Sequence, residues 1–279
     1  MQLRCGRHIL NLDIPVVMGV LNVTPDSFSD GGRFVELPAA QAQAERMAGD
    51  GAAIIDIGGE STRPGAAPVD VDEELRRVIP VIERLAGRLA VPVSVDTSKP
   101  EVMRAAIAAG ASMINDVTAL RAPCAIDAVA GSDVALCLMH MQGEPRTMQD
   151  APRYVDVLAD VRDFLRDRVA CCVKAGISVS RLVIDPGFGF GKTLEHNLEL
   201  LRRLRELTAD GYPVMAGLSR KSMIGNLTGR AGGERLGGSI ALATLAVLAG
   251  ARIVRAHDVA PTVDAIRIVT AIGGRRGGT

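Results

Sequence analysis

Ionisable and amide side chains recur in this sequence at points where an apolar segment gives way to a turn. The set mixes both signs of charge: Asn22, Asp56, Thr62 and Arg63, Asp96, Asn115 and Asp116, His140, Asp185, Arg220 and Lys221, and Arg255 and His257. Four carboxylates in a pure anion site would repel the ligand, and cations in a metal cage would compete with the metal. A ligand with an anionic end and a separate polar end rich in N–H donors suits both halves of the set.

The cations lie late in the chain, as the pair Arg220-Lys221 and as Arg255 with His257. Arginine presents a fixed fork of N–H donors to an anion, and a helix beginning near Ser222 would add backbone N–H groups. We therefore predict that these residues bind the anionic part of the ligand. Solvated surface charge is the alternative.

Asp96 and Asp185 each end an apolar segment, so both carboxylates are expected to be buried, where they need partners. Backbone N–H groups or neighbouring Arg and Lys side chains could supply them. Alternatively, the two acids accept hydrogen bonds from amide-like or amidine-like N–H groups of a heterocycle, each worth about 1.5 to 3 kcal/mol.

A glycine-rich run from Gly187 to Thr193 ends like a P-loop. Pro186, however, stands where the first glycine is required, and proline has no N–H to offer a phosphate. We therefore reject a nucleotide site. These glycines are expected to let the backbone approach a flat ligand, with Phe190 as one of very few candidates for an exposed ring that contacts it, and a plain turn is the alternative.

The sequence shows no Ser-His-Asp or Cys-His arrangement and no helical pair of histidines. Covalent catalysis and zinc-bound water are therefore not indicated. A reaction that stabilises a departing anion would need only cations, a Mg²⁺ ion and correct positioning.

Composition narrows the class of protein. The 279 residues carry 32 basic and 32 acidic side chains, which argues against a general role on nucleic acid or on a membrane surface. The five cysteines lack zinc spacing and are read as reduced thiols. No signal peptide is evident, and the longest apolar run is shorter than the roughly 20 residues that span a bilayer. We expect a cytoplasmic protein.

Eight strand-then-helix units can be traced along the chain. The predicted strands are 16–21, 53–57, 92–96, 112–114, 134–139, 182–184, 213–216 and 251–254. The predicted helices are 38–50, 70–89, 100–109, 125–130, 155–175, 194–208, 239–248 and 261–272, of which 239–248 is expected to be buried. A short hairpin of residues 3–5 and 9–12 precedes them, and a tail, 273–279, is expected to be disordered.

This order predicts an α/β fold, a single (β/α)8 TIM barrel with a short N-terminal β-hairpin, as one domain over residues 1–279. A doubly wound sheet is the alternative, but its glycine fingerprint does not follow the first strand. In such barrels the site lies at the carboxyl ends of the strands, where the side chains described above are found.

At these residues the chain resembles the dihydropteroate synthase family of pterin-binding proteins. The segments that carry the resemblance are 22–32 (Asn-Val-Thr-Pro-Asp-Ser-Phe-Ser-Asp-Gly-Gly), 56–65 (Asp-Ile-Gly-Gly-Glu-Ser-Thr-Arg-Pro-Gly), 94–99 (Ser-Val-Asp-Thr-Ser-Lys), 114–116, 138–143, 185–192, 219–222 and 255–258. The match runs in order along nearly the whole chain, to about residue 272, and no functional position departs from it.

The resemblance implies condensation of 6-hydroxymethyl-7,8-dihydropterin diphosphate with 4-aminobenzoate to 7,8-dihydropteroate and diphosphate, with Mg²⁺, in folate synthesis. It also implies sulfonamide inhibition and a homodimer.

The resemblance implies a role for each site residue. Catalysis would depend on Asn22, Asp96, Asp185, Lys221, Arg255 and His257. Pterin would be bound by Asp96, Asn115, Asp185, Lys221 and Arg255. Diphosphate would be bound by Asn22, Thr62, Arg255 and His257, with Asn22 as the Mg²⁺ ligand. Aminobenzoate would be bound by Phe28, Thr62, Arg63, Pro64, Phe190, Arg220, Lys221 and Ser222, with the loops that carry Phe28 and Thr62 closing over the site.

Three other functions are alternatives for this sequence. A barrel that passes a methyl group from methyltetrahydrofolate to a corrinoid protein shares the acid-lined pocket, but it has no reason to carry the 22–32 loop together with the Arg255 and His257 anion site. A second alternative is an inactive paralogue that binds pterin without catalysis. The only argument against it is that every strand-end residue expected of an active enzyme is present. A Schiff-base aldolase using Lys221 is disfavoured by the adjacent Arg220.

Overall fold

The computed structural model describes residues 1–23, 32–61, 68–144 and 147–273, with the side chains of 32–36 excepted. The strands of these residues are β1 Gln2–Cys5, β2 His8–Asn11, β3 Val16–Asn22, β4 Ile54–Gly58, β5 Val93–Asp96, β6 Met113–Asp116, β7 Ala135–Met139, β8 Leu182–Asp185, β9 Met215–Ala216 and β10 Ile253–Ala256. The helices are α1 Gly32–Gly49, α2 Val71–Ala86, α3 Pro100–Ala108, α4 Ala125–Ala130, α5 Val157–Lys174, α6 Leu194–Arg202, α7 Leu204–Thr208, α8 Ser222–Thr228, α9 Leu236–Leu248 and α10 Val259–Gly273.

Strands β3 to β10 form one parallel eight-stranded sheet in the order β8-β7-β6-β5-β4-β3-β10-β9. A parallel bridge between Ile184 and Val214 joins β8 to the segment before β9, so the two edges of the sheet meet. Strands β1 and β2 pair antiparallel as a separate hairpin. The predicted (β/α)8 barrel with an N-terminal hairpin is therefore confirmed.

Alternate residues of the barrel strands belong to two separate apolar clusters. The outward set packs against the helices and includes Val17, Ile55 and Val95. The inward set includes Met18, Ile54 and residues of the hairpin. Because side chains alternate along a strand, this register also decides which polar residues enter the barrel. The hairpin closes the amino end of the barrel, and the interior at the carboxyl end remains for polar groups.

Helix α2 illustrates the local signals that position the strands. The Asp70 carboxylate accepts a hydrogen bond from the N–H of Glu73 at 2.7 Å and caps the helix. Asp72, Glu73 and Glu74 occupy its first turn, where acidic groups are favoured, and Arg84 lies in its last turn.

Two predicted helices differ in extent from the observed ones. Helix α1 begins at Gly32, so Pro38 lies inside it instead of at its start, although an interior proline removes one helix hydrogen bond. The predicted helix 194–208 is interrupted at Arg203, and the second piece buries Leu204 and Leu207.

The prediction that helix 239–248 is buried is wrong. Leu245 and Leu248 of α9 are 51% and 54% exposed. Apolar content alone does not show which faces of a helix meet the sheet. Among the described residues, no helix combines the length and hydropathy needed to cross a bilayer.

Candidate active site

The strand register brings five of the predicted side chains into the barrel. Asn22, Asn115, Asp185 and Arg255 each lie an even number of residues from an inward-facing apolar residue of the same strand, and Asp96 lies an odd number from the outward-facing Val93 and Val95. All five stand at or near the carboxyl end of the strand. The sequence predicted this edge, and the observed register explains why these particular residues share it.

An acid–guanidinium network lies across the barrel interior. Arg255 donates from Nε to Asp56 Oδ2 at 2.7 Å and from Nη2 to Asp96 Oδ2 at 2.8 Å. The Asn115 amide also donates to Asp56 Oδ2, at 3.0 Å. Asp56 is fully buried, and Asp96 is 7% exposed. One guanidinium therefore joins strands β4, β5 and β10, and Asp56 holds both Arg255 and Asn115.

Three buried oxygens of this network keep unused hydrogen-bonding capacity. Asp56 Oδ1, Ser94 Oγ and Asp96 Oδ1 have no hydrogen-bond partner among the described residues. Burial raises the pKa of Asp96, because loss of hydration outweighs the attraction of Arg255. Buried acceptors without partners are costly, so a ligand that brings N–H donors would be stabilised here.

Asp185 lies on the far side of the same interior. Its Oδ1 accepts a hydrogen bond from the N–H of Gly187 at 2.7 Å, and burial raises the pKa of its carboxyl. Gly217 separates Asp185 from Arg255: a Cβ placed on Gly217 would lie 3.9 Å from Asp185 Oδ2 and 4.0 Å from Arg255 Cβ. The acid and the guanidinium thus border one space.

Lys221 and Phe190 form the next wall. The Lys221 ammonium lies 4.0 Å from the centre of the Phe190 ring, a cation–π contact. Phe190 is 9% exposed, so the expectation of an exposed ring is not met before a ligand enters. Burial lowers the pKa of Lys221 to about 8, with Arg255 acting in the same direction and Asp185 opposing it.

A pH titration tests the environment of Lys221. Between pH 8 and 10.5 the folded state binds fewer protons at Lys221 than the unfolded chain, so wild-type stability relative to Lys221→Met is expected to rise with pH. Denaturant unfolding at several pH values measures the difference. NMR of ¹³Cε,¹⁵Nζ-labelled lysine should place the Lys221 midpoint near pH 8, and a midpoint equal to that of exposed Lys174 would contradict this assignment.

The glycine-rich loop after β8 turns its lysine inward. Lys192 Nζ donates to the carbonyl oxygens of Gly187 and Phe190 at 2.9 and 3.0 Å and lies 3.0 Å from His140 Nδ1. Lys192 is only 2% exposed, so it cannot reach a phosphate in solution as a P-loop lysine would. The geometry agrees with the rejection of a nucleotide site.

The predicted anion-binding side chains already have partners. Arg220 forms a bidentate pair with Asp258, at 3.0 and 2.6 Å, and its backbone has a positive φ of 59°. His257 Nδ1 lies 3.0 Å from Ser219 Oγ. Ser222 is the exposed first residue of α8. Arg220, in the loop after β9, is thus held by a residue of the loop after β10, and His257, in the loop after β10, lies against a residue of the loop after β9.

Two of the strand-end residues do not belong to the interior. Asp116 follows Asn115 by one residue and faces the other way, where its carboxylate accepts from the N–H groups of Thr118 and Leu120 at 2.7 and 2.8 Å. His140 packs edge-on against Phe164. Phe28, Thr62, Arg63 and Pro64 lie outside the described residues, as do 274–279 of the predicted tail.

Sequence reasoning missed Asp56. It noted the residue at a strand end but predicted no role for it, although Asp56 shares the inward register of Ile54. It also missed a neighbouring cluster in which the Lys99 ammonium pairs with Glu60 and with fully buried Glu74. Glu60 and Lys99 come from segments that carry the resemblance, but Glu74 lies on α2, so the pairing of the three depends on helix packing that no motif reveals.

The donor set can be tested against Mg²⁺. The described residues contain no group of three or more His, Cys, Asp or Glu side chains that would form an all-protein cage. Asn22 offers one amide oxygen at the end of β3, with Oδ1 3.6 Å from the Cβ position of Gly58. Mg²⁺ commonly takes one or two protein oxygens and completes its shell with substrate phosphates and water. The residues present fit an ion held mainly by substrate.

The fold and the site define a barrel enzyme with a cluster of buried polar side chains at the carboxyl ends of its strands. A family model described as pterin binding enzyme matches residues 18–257. The dihydropteroate synthase of Escherichia coli (strain K12) is 54% identical over 262 residues, covering 94% of this chain and 93% of that protein. The chain belongs to the pterin-binding enzyme family and, within it, to the dihydropteroate synthases, which are transferases.

Solved structures agree in fold over almost the whole chain. The Yersinia pestis dihydropteroate synthase with a sulfonamide drug gives a TM-score of 0.93 at 50% identity, covering 98% of this chain and 100% of that one. The Xanthomonas albilineans enzyme with 4-aminobenzoic acid gives 0.92 at 57% identity, covering 98% of both chains. The same enzyme with 7,8-dihydropteroate gives 0.89 at 54% identity, covering 98% of this chain and 99% of that one.

Proposed function

We propose that this chain condenses 6-hydroxymethyl-7,8-dihydropterin diphosphate with 4-aminobenzoate, giving 7,8-dihydropteroate and diphosphate for folate biosynthesis. The observation that carries the proposal is the Arg255 network, in which one guanidinium bridges two buried carboxylates while neighbouring oxygens lack partners. A flat heterocycle with several N–H groups supplies the missing donors. Relatives solved with 4-aminobenzoic acid, 7,8-dihydropteroate and a sulfonamide drug support the same substrates and inhibitors.

The pterin would lie in the interior, bound by Asp96, Asn115, Asp185 and Lys221 with the Arg255 guanidinium against its ring. The Asn115 amide donates an N–H to Asp56, so Asn115 Oδ1 is left as an acceptor for the ligand. Asp96 Oδ1 and Asp185 Oδ2 are acceptors as well, and the Lys221 ammonium is a donor. This set is complementary to a ring with amidine-like N–H groups and one carbonyl.

The diphosphate would extend towards Asn22, Thr62, Arg255 and His257. Asn22 would be the protein ligand of Mg²⁺, and the bound ion would neutralise charge on the departing diphosphate. Arg255 contributes its positive charge from a position fixed by Asp56 and Asp96, so no reorganisation is needed as negative charge develops. Asn22 and Arg255 stand on the adjacent strands β3 and β10.

The aminobenzoate would approach from the side of Phe190, Lys221 and Ser222, with Arg220 and the segments carrying Phe28, Thr62, Arg63 and Pro64 completing its site. An arylamine is neutral and nucleophilic near pH 7, so the reaction needs a stabilised leaving group more than a general base. In the proposed order the C–O bond breaks first and its electron pair leaves with diphosphate, and the pterin methylene cation is held over the acids. The amine then attacks to form the C–N bond and gives up one proton to water. We also propose that the enzyme acts as one domain, as a homodimer, in the cytoplasm.

An assay of diphosphate release tests this function. With Mg²⁺ present, sustained release of diphosphate together with 7,8-dihydropteroate, identified by mass spectrometry, is expected when both the pterin diphosphate and 4-aminobenzoate are added. A methyl-transferring barrel or an inactive pterin binder would release no diphosphate under these conditions. Absence of diphosphate or of 7,8-dihydropteroate with both substrates present would contradict the proposal. A sulfonamide should compete with aminobenzoate.

A further inference from the structure

Lys192 is a buried lysine that the proposed chemistry does not use. It belongs to the run that looked like a P-loop end, and its ammonium lies under the loop that follows β8 instead of beside a ligand. Its Nζ has three close acceptors, Gly187 O at 2.9 Å, Phe190 O at 3.0 Å and His140 Nδ1 at 3.0 Å, with His140 O at 3.5 Å. Burial lowers the pKa of Lys192 to about 7 and Asp185 opposes this shift, so at pH 6 the group is mainly an ammonium whose three donors match the three close acceptors.

His140 is suited to be the third acceptor. Burial and the adjacent Lys192 lower the pKa of His140 to about 2, so its ring is neutral. A neutral imidazole carries one N–H, and acceptance at Nδ1 places that hydrogen on Nε2. The histidine therefore acts as an uncharged partner that holds Lys192 in position.

The two carbonyls that Lys192 holds are the two ends of one turn. Phe190 N–H donates to Gly187 O at 3.1 Å, and Lys192 bonds both Gly187 O and Phe190 O. Gly187 has a positive φ of 68°, and a Cβ there would lie 1.9 Å from His140 O, so the turn passes directly against His140. The Lys192 ammonium therefore lies inside the turn that carries Phe190 and holds its two carbonyl groups together.

Lys221 rests on the outer side of that turn. A Cβ on Gly189 would lie 3.3 Å from Lys221 Cδ, and the Lys221 ammonium lies 4.0 Å above the Phe190 ring. The position of Lys221 over the ring therefore depends on where the turn is held.

The geometry points to Lys192 as a positioning residue that holds the Gly187–Phe190 turn, and with it the Phe190 ring and Lys221, in the form that receives the arylamine substrate. The inference rests on the proposed function only where it assigns 4-aminobenzoate to the Phe190 side. Lys192 does not touch the substrate, and it acts through the two carbonyls of the turn.

The first arm of the test needs no substrate. The chain has four lysines, Lys99, Lys174, Lys192 and Lys221, so ¹³Cε,¹⁵Nζ-lysine labelling gives few signals. In the wild type at pH 6 the Lys221 ε-methylene protons should be shifted upfield by the Phe190 ring. In Lys192→Met, which keeps the chain length but not the donors, they are expected to move towards the values of exposed Lys174. An unchanged Lys221 signal overturns the inference, whatever the enzyme's activity.

The second arm measures steady-state kinetics. Lys192→Met should raise the KM for 4-aminobenzoate by about tenfold while changing the affinity for the pterin diphosphate much less. Ile82→Ala, a core change in α2 away from the turn, is the control for lost stability and should move neither the Lys221 signal nor that KM. If the Lys221 signal and the KM for 4-aminobenzoate change equally in Lys192→Met and Ile82→Ala, Lys192 contributes only to stability and the inference is overturned.

A second pair of variants covers the case in which Lys192→Met does not fold. His140→Asn keeps an acceptor close to the Nδ1 position, and His140→Leu removes it. His140→Leu is expected to shift the Lys221 signal and raise the KM for 4-aminobenzoate, whereas His140→Asn should resemble the wild type. If His140→Leu and His140→Asn behave alike in both measurements, the hydrogen bonds of Lys192 do not control the position of the turn, and the inference is overturned.

Discussion

Replacing Arg255 with methionine is expected to lower the free energy of unfolding by about 3 kcal/mol. Arg255 bridges Asp56 and Asp96, which are 0% and 7% exposed, and its removal leaves two carboxylates without their shared cation. The figure is at the low end for a broken buried pair because 21% of the Arg255 side-chain surface still meets solvent. Urea unfolding followed by circular dichroism near neutral pH measures the loss.

Two further variants isolate the cause of that loss. Arg202→Met removes a cation of similar shape whose pairing with Glu195 is 58% and 71% exposed, so it should lower stability much less than Arg255→Met does. The double variant Asp56→Asn/Arg255→Met also removes one of the carboxylates left without a cation. Its loss of unfolding free energy should be smaller than the sum of the losses in the two single variants. If Arg255→Met loses no more stability than Arg202→Met, the network does not contribute to folding as described.

The barrel could be predicted from the sequence because each strand is short, apolar and followed by a helix of the length that a parallel crossover needs. The strand ends were informative for the same reason. Asp96, Asn115, Asp185 and Arg255 could be placed at one edge without knowing any contact between them, since parallel strands all end on the same side.

The pairing inside the barrel could not be predicted. Asp56 and Arg255 are 199 residues apart and lie on strands β4 and β10, which β3 separates, so their contact depends on barrel curvature and register. Lys192 presents the same difficulty on a smaller scale. A lysine in a glycine-rich run can turn outward to a ligand or inward to the loop's own carbonyls, and only the folded turn decides between them.

Apolar content also could not predict the solvent exposure of two residues, Phe190 and Leu245. Phe190 was expected to be exposed and is covered, because the turn folds its ring beneath Lys221. Leu245 was expected to be buried and faces outward on α9. Hydrophobicity predicts that such side chains avoid water, but it does not identify which part of the molecule or of an assembly covers them.

Asp185→Asn is expected to weaken binding of the pterin diphosphate by roughly ten- to a hundredfold, the size of a charged hydrogen bond. Asp185 Oδ1 is already occupied by the N–H of Gly187, at 2.7 Å. An asparagine would keep its oxygen at that position, which places its NH₂ group where Asp185 Oδ2 now borders the interior. The substitution therefore removes a charge and also presents a donor to the donors of the proposed ligand.

Isothermal titration calorimetry at neutral pH measures this effect, and Asp210→Asn provides the matched control. Asp210 is a buried acid, 5% exposed in its side chain, whose partners Arg162 and Arg166 lie on α5. Its substitution should lower stability but leave pterin diphosphate affinity unchanged. Unaltered affinity in a folded Asp185→Asn protein would mean that the carboxylate serves the Gly187 turn alone, because a group that binds ligand N–H bonds cannot lose both its charge and its acceptor without a cost.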